Sequence, residues 1–326
     1  MDQGGALNDH AVLVTGASGF LGSHVVRGLD AAGAKVHALV RPGRVPRRLH
    51  DLLPRLTVWP GDVTDYESVL RCCREARPTA VVHLAGDTSG RKFDGDWSLV
   101  SSSVAVNLYG TLNMIRAAAE SGAPVRTFVR AGGLEEYGTG QTPYDEAQRE
   151  RPRSPYSAGQ VSATHFGEML QRHVAFAIIT LRPALVYGPA QSTDFFIPRV
   201  ILSCLRNAPF EMTAGQQCRD LLYVDDLVRA FLLVLDRPDL RGAVINIASG
   251  EEVSIRTVAE EVVRLTGARD ILRVGAAAER AGDLEHLVAG TAHAATVLGW
   301  IRSVELTAGL EQTIAWYRGH REEDQS

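Results

Sequence analysis

Short apolar runs alternate along this chain with longer stretches whose apolar residues recur every three or four positions. Ala11-Val12-Leu13-Val14 is too short for a helix and rich in β-branched residues, and Ser23 to Ala32 follows at helical spacing. The runs Lys35 to Val40, Leu56 to Trp59, Ala80 to Leu84, Arg126 to Arg130 and Ala177 to Arg182 read as five further strands. Tyr66 to Glu75, Ser98 to Ser121 and Tyr156 to Arg172 read as helices between them, the first started by a Thr64/Glu67 capping box. Regular strand–helix alternation predicts an α/β fold with a doubly wound parallel sheet, whose ligands bind beyond the carboxyl ends of the strands. After Pro183 the rhythm breaks. A short helix at Phe196, a helix ending at Leu235, a strand Val244 to Ile247 and a helix Ile255 to Thr266 capped by Ser254 come next. A short helix ending at Leu298-Gly299-Trp300 and a last helix from about Leu306 to Tyr317 complete the chain. The expected division is 8–185 plus 220–248 for the sheet unit and 186–219 plus 249–320 for a smaller mixed unit. Met1 to Asp9 reads as a polar, frayed start.

Composition narrows the function. A net charge of −4 offers no cationic surface for nucleic acid. No apolar run reaches membrane-spanning length and no charged-then-apolar signal opens the chain, so a cytoplasmic protein with no membrane partner is expected. Cys72, Cys73, Cys204 and Cys218 lack paired spacing and read as free thiols of a reducing compartment, with no metal site. The cations are almost all arginine: Lys35 and Lys92 are the only lysines.

The first strand-to-helix junction carries Thr15-Gly16-Ala17-Ser18-Gly19-Phe20-Leu21-Gly22. Gly16 permits a sharp turn, Gly19 lets a phosphate approach the backbone, and Gly22 lets the helix pack close to the strand. The N–H groups at the start of that helix then face the pyrophosphate of a dinucleotide. A tight turn with no ligand is the alternative. At the end of the second strand a carboxylate would bind the adenosine ribose, but Arg41 stands there, followed by Arg44, Arg47 and Arg48. Arginine stacks on adenine and pairs with a 2′-phosphate, which favours NADP(H) over NAD(H); a solvated basic loop is the other reading. Asp62 falls where an adenine amino group could meet it, and the small residues of Leu84-Ala85-Gly86 would let a cofactor lie over the sheet. His83 reads as a strand histidine with a structural partner.

The chain resembles the extended short-chain dehydrogenase/reductases, in the nucleotide-sugar epimerase and dehydratase branch. The likeness rests on TGASGFLG, GDVTD (Gly61 to Asp65), HLAG (His83 to Gly86), NLYGTLN (Asn107 to Asn113), Tyr137-Gly138 and SPYSAGQ (Ser154 to Gln160). RPALVYGP (Arg182 to Pro189), RDLLYVDD (Arg219 to Asp226), NIASG, RAGD and LGW extend it to about Tyr317. It implies a Rossmann unit holding NAD(P) through Gly16, Ser18, Gly19, Phe20, Leu21, Gly22, Arg41, Asp62, Val63, Leu84, Ala85, Gly86, Asn107, Tyr156, Gln160 and Pro183. It also implies a smaller unit for a nucleotide-linked sugar, with Thr88, Arg219 and Arg280 toward the substrate, and a homodimer formed through the helices Ser98 to Ser121 and Tyr156 to Arg172.

The catalytic pattern departs from that family. Its Tyr-x-x-x-Lys motif sets tyrosine and lysine on one helix face, and the lysine charge lowers the tyrosine pKa. Here Tyr156 is followed by Gln160, which can hydrogen-bond a ribose but carries no charge. Gly133 stands at the Ser/Thr position, and Leu185 where many relatives have asparagine. Glu135 is kept where dehydratases place a base, whereas the acid before it is Leu134. The catalytic candidates are therefore Tyr156, Gln160 and Glu135, with a raised pH optimum or slow hydride transfer expected. The reading is an NAD(P)-dependent epimerase, dehydratase or ketoreductase acting on a nucleotide sugar. The alternative is a cofactor-binding sensor, or a fold repurposed for non-redox chemistry.

Overall fold

The structure, a computed structural model, describes residues 7–278 and 284–320. Six strands follow in chain order: β1 Ala11–Thr15, β2 Lys35–Val40, β3 Thr57–Pro60, β4 Ala80–His83, β5 Thr127–Ala131 and β6 Ala177–Pro183. With Val244–Ile247 they form one parallel sheet in the order Val244–Ile247, β6, β5, β4, β1, β2, β3. The chain runs outward from β1 to β3, returns to β4 on the other side of β1, and proceeds outward again. The β1/β4 boundary is thus the switch point, where loops from the two halves part and leave a crevice.

Helices cover both faces, because strands buried on two sides need apolar partners on each. Helix α1 (Phe20–Ala31) packs Val25, Val26 and Leu29 into a core shared with Leu227 and Phe231. On the other face α2 (Tyr66–Ala76) and the helix Gly110–Glu120 bury Val69, Leu70, Met114 and Ile115 against Val81 and Phe128. A third core, around Val200, Ile201, Val258, Val262, Leu310 and Ile314, belongs to the chain after β6. There a small sheet pairs Cys218–Arg219 antiparallel to Val253–Ser254 and parallel to His286–Leu287.

Three expectations need correction. Asp65, not Thr64, caps α2: its carboxylate accepts from the Glu67 and Ser68 amides, while the Thr64 hydroxyl donates to Asp62 at 2.8 Å. The nearer carboxylate wins the cap because Asp62 has already taken the threonine. The long helix begins at Trp97 as α3 (Trp97–Ser103), passes through a π turn at Val104–Tyr109 and continues as α4 (Gly110–Glu120). Finally, Leu7 is buried and its amide donates to the Ala32 carbonyl, so the chain is docked from at least that residue.

The β1–α1 junction is a backbone-to-backbone contact. A Cβ on Gly22 would sit 2.1 Å from the Gly16 carbonyl oxygen, and one on Gly16, whose φ is +67°, 2.6 Å from the Leu84 backbone. Neither neighbour is a side chain that could swing away. Gly22→Ala is expected to cost about 2 kcal/mol or more, as overpacking of a rigid site does, read as a lowered midpoint in chemical denaturation. A change below about 0.5 kcal/mol would show that the junction has slack.

Candidate functional site

The carboxyl ends of β1 to β4 surround a cleft of about 1120 Å³. Gly16, Ser18 and Gly19 form one wall, Arg41, Arg44, Arg47 and Arg48 the far end, Asp62 and Val63 the side, and Leu84 to Asp87 the floor. Gly19 is the N-terminal flanking residue of α1 and has no side chain to cap it, which leaves the first amides of the helix facing the opening. A dinucleotide fits this cradle: the Gly16–Leu84 approach keeps the floor flat, and the helix start supplies N–H groups for a pyrophosphate.

The floor is locked by a histidine. The Thr111 hydroxyl donates to the Asn107 carbonyl, so it must accept from His83 Nε2, at 3.1 Å. His83 Nδ1 then accepts from the Thr15 hydroxyl at 2.7 Å, and Thr15 Oγ1 accepts from the Ala85 amide. Burial holds the ring neutral, with its pKa lowered to about 3. His83 is therefore a structural histidine, as the sequence suggested. Asn107 is spent similarly. Its amide nitrogen donates to Asp87 O and Ser103 Oγ, and its oxygen accepts from the Asp87 amide, so it positions the loop after β4.

Beyond Gly86 the cleft meets α5 (Pro155–Leu170), capped by Ser154 and started by Pro155. Tyr156 and Gln160 lie on the buried face of that helix. Gln160 Nε2 is 3.7 Å from where a Gly86 Cβ would be, while its Oε1 accepts from Arg130 Nη2. Arg130, on β5, is fully buried and also donates to Thr164 Oγ1 at 2.7 Å. Thr164 donates in turn to Glu136, which pairs with Arg182 at 2.8 Å, and Arg182 reaches Glu150 at 2.6 Å. Burial depresses the Arg130 pKa. Burial opposes the charge on Arg182 most strongly, but Glu136, Tyr137 and Glu150 together outweigh it and its pKa is raised. The sequence placed Arg130 in a core strand and gave it no role; in the structure its cation faces inward and bonds the Gln160 oxygen. A lysine at position 160 would put two positive charges where one already costs desolvation.

Gly133 and Glu135 are coupled in the same way. A Cβ at Gly133 would fall 2.8 Å from Glu135 Oε2 and 3.7 Å from Tyr156 Oη. The missing Ser/Thr side chain thus leaves the space that the carboxylate enters. Arg91 closes the group from the loop after β4: its Nη2 is 3.2 Å from Glu135 Oε1 and its guanidinium carbon lies 4.9 Å from the Tyr156 ring centre. No local pattern marks Arg91. Burial raises the Tyr156 pKa, with Arg91 pulling the other way and Glu135 reinforcing the rise.

The substrate-side candidates are more dispersed. Thr88 is exposed at the start of the loop that ends in Arg91. Arg219 is buried, and its guanidinium donates to the Cys218 and Leu284 carbonyls. Arg280 lies outside the described residues. Phe20 and Leu21 open α1, and Pro183 ends β6 in the sheet interior. Cys72, Cys73, Cys204 and Cys218 are free thiols. Strand pairing brings Cys218, Glu252 and His286 within 4.8 Å of one another, a grouping that chain spacing hides. Glu252 and His286 pair with each other at the surface.

Comparison with known proteins agrees with this geometry. The model of the NAD dependent epimerase/dehydratase family matches residues 12–248. A dTDP-glucose 4,6-dehydratase of Streptomyces griseus is 31% identical over 325 residues, covering 95% of this chain and 94% of its own. MoeE5, solved in complex with UDP-glucuronic acid and NAD, is 32% identical with a TM-score of 0.83, covering 94% of this chain and 99% of its own. A UDP-glucose 4-epimerase from Thermotoga maritima, solved with UDP-glucose, is 26% identical with a TM-score of 0.85, covering 95% and 99%.

Gln160→Lys tests the link between Arg130 and position 160. It is expected to lower stability by about 2 kcal/mol or more, as an uncompensated buried charge does, and Arg130→Met in the same chain should restore part of the loss. Unchanged thermal stability in Gln160→Lys would mean that Arg130 does not dictate that position.

Proposed function

The chain belongs to the NAD-dependent epimerase/dehydratase family, and from that premise we propose that it oxidises or reduces a carbinol carbon of a nucleotide-linked sugar, with a preference for NADP(H). The observation that carries this reading is the adjacency of two groups. The glycine-built cleft runs along the strand ends to Gly86, where a Cβ would lie 3.7 Å from Gln160 Nε2, on the same helix as Tyr156, which faces Gly133 and Glu135. A nicotinamide bound there would accept or return a hydride. Tyr156 takes up the hydroxyl proton in the oxidative direction and returns it in the reductive one, and Gln160 Nε2 holds a ribose hydroxyl. Glu135 serves as a second base beside the resulting carbonyl, where a carboxylate can remove an activated proton.

Four arginines at the far end of the cleft support the 2′-phosphate preference. Arg41 is exposed there, while Arg48 is braced by the Ala190 carbonyl at 3.0 Å. Residues 8–185 plus 220–248 would serve the cofactor, and 186–219 plus 249–320 the sugar nucleotide, with Thr88, Arg219 and Arg280 on the substrate side. A homodimer is supported by exposed Trp97, Tyr109, Phe166 and Met169 on the α3–α4 and α5 segments. No helix of the described residues is long and apolar enough to cross a membrane, and a cytoplasmic location suits the free thiols.

Gln160 and Gly133 together favour one second reading, a cofactor-binding sensor or a non-redox use of the same cleft. Purified protein that carries a dinucleotide but turns over neither UDP- nor dTDP-linked hexoses would select it.

Two measurements test the enzyme reading. Arg41→Ala should weaken NADP⁺ binding about tenfold or more, the loss of one charge-assisted phosphate contact, and leave NAD⁺ nearly unchanged; an equal loss for both would remove the preference. Because burial raises the Tyr156 pKa, the base form is scarce at neutral pH. The oxidative rate should therefore climb about tenfold per unit between about pH 7 and about pH 9. A plateau beginning near neutrality would show that another group is the base.

A further inference from the structure

We infer that Arg91 is the positioning residue that holds the charge on Tyr156, supplying from the loop after β4 the cation that position 160 does not carry. The inference rests on the proposed role of Tyr156 as the acid/base.

The first support is placement. The Arg91 guanidinium lies over the Tyr156 ring at 4.9 Å and over Phe195 at 5.8 Å, where its charge favours the ionised phenol. Its Nη2 meets Glu135 at 3.2 Å, so one cation touches both candidate bases. Its Nε is buried and has no hydrogen-bond partner among the described residues, which leaves a donor held ready inside the site.

The second support is rigidity. A long side chain makes a useful fixed charge only if its backbone is pinned. Asp87 is held on both backbone groups by Asn107, and its carboxylate accepts from Ser89 and Ser102. Gly90 then lies flat on α5: a Cβ there would be 3.1 Å from Pro155 Cβ and 3.3 Å from the Tyr156 nitrogen. That close contact sets Arg91 beside the first turn of the helix that carries the tyrosine.

The third support is the charge census around the phenol. Arg91 faces it from the loop after β4, Arg130 from β5, and Glu135 and Glu136 from the turn after β5; α5 itself contributes only neutral Gln160. Arg130 is turned toward Gln160, Thr164 and Thr180. The two carboxylates both disfavour a phenolate. Arg91 is the cation lying on the Tyr156 ring, so removing it should leave the phenolate facing net negative charge.

The test reads the field at position 156 without substrate or cofactor. A ring-fluorinated tyrosine, whose phenol ionises below that of tyrosine, replaces Tyr156 in the full chain, and fluorine NMR follows its ionisation against pH. The backgrounds are the native chain, Arg91→Met, Arg91→Lys and Arg91→Gln, the last keeping polarity and approximate size in case Arg91→Met does not fold. Arg91→Met and Arg91→Gln should each raise the midpoint by about one to two units, and Arg91→Lys by less than half as much. A midpoint that stays within about 0.3 unit in both neutral variants, or that falls, overturns the assignment. Because no turnover is read, that result would leave the proposed reaction standing. Loss of dinucleotide binding and turnover in the native chain would sink the reaction without touching this titration.

Discussion

The molecule is arranged around a contact that has no room for a methyl group. Gly22 at the start of α1 presses on the Gly16 carbonyl, and Gly16 presses on the Leu84 backbone at the end of β4. The turn after β1 and the chain after β4 therefore approach backbone to backbone, at the boundary where strand order reverses. Side chains would have filled this place in an ordinary βα turn. Their absence leaves a flat floor, with helix amides on one side and arginines at the far end. Thr15, His83 and Thr111 then fix that floor by a relay in which every polar atom has a defined role.

Around Tyr156, two positions outside the expected catalytic pattern have local partners. Arg130 donates to the Gln160 oxygen, and Glu135 enters the space that Gly133 leaves. Arg91 adds a cation at the mouth, against both Glu135 and Tyr156. Glu136 and Arg182 pair with each other in the interior, while the Arg130 donors that are bonded meet neutral oxygens of Gln160, Thr164 and Thr180.

Much of this was legible in the chain. Short apolar runs and helical spacing located the main sheet and its helices to within about three residues, since the strands are buried on both faces and the helices carry apolar stripes. The glycine spacing located the cleft, because only that residue tolerates such contacts. The cap of α2 was misplaced by one residue, for Asp62, Thr64 and Asp65 all offer oxygens, and only the folded turn decides which is already committed. The π turn at Val104–Tyr109 was hidden inside an unbroken helical pattern. Arg91 and Arg130 were missed for a different reason. One lies in a loop with no periodicity, and the other in an apolar strand where it looks like an exception. Both acquire meaning only from partners 30 or more positions away, such as Gln160 for Arg130. The small sheet joining Cys218, Val253 and His286 is likewise built from distant pairings of two residues each.

The central claim is that the cleft and the Tyr156 group form one continuous redox site. A crystal structure of the chain with NADP⁺ tests it most directly. The account predicts the pyrophosphate over the amides that open α1, a ribose hydroxyl on Gln160 with Arg130 still bonded to the glutamine oxygen, and the nicotinamide beside the Tyr156 hydroxyl. A dinucleotide lying elsewhere, or a nicotinamide separated from Tyr156 by protein side chains, would contradict it.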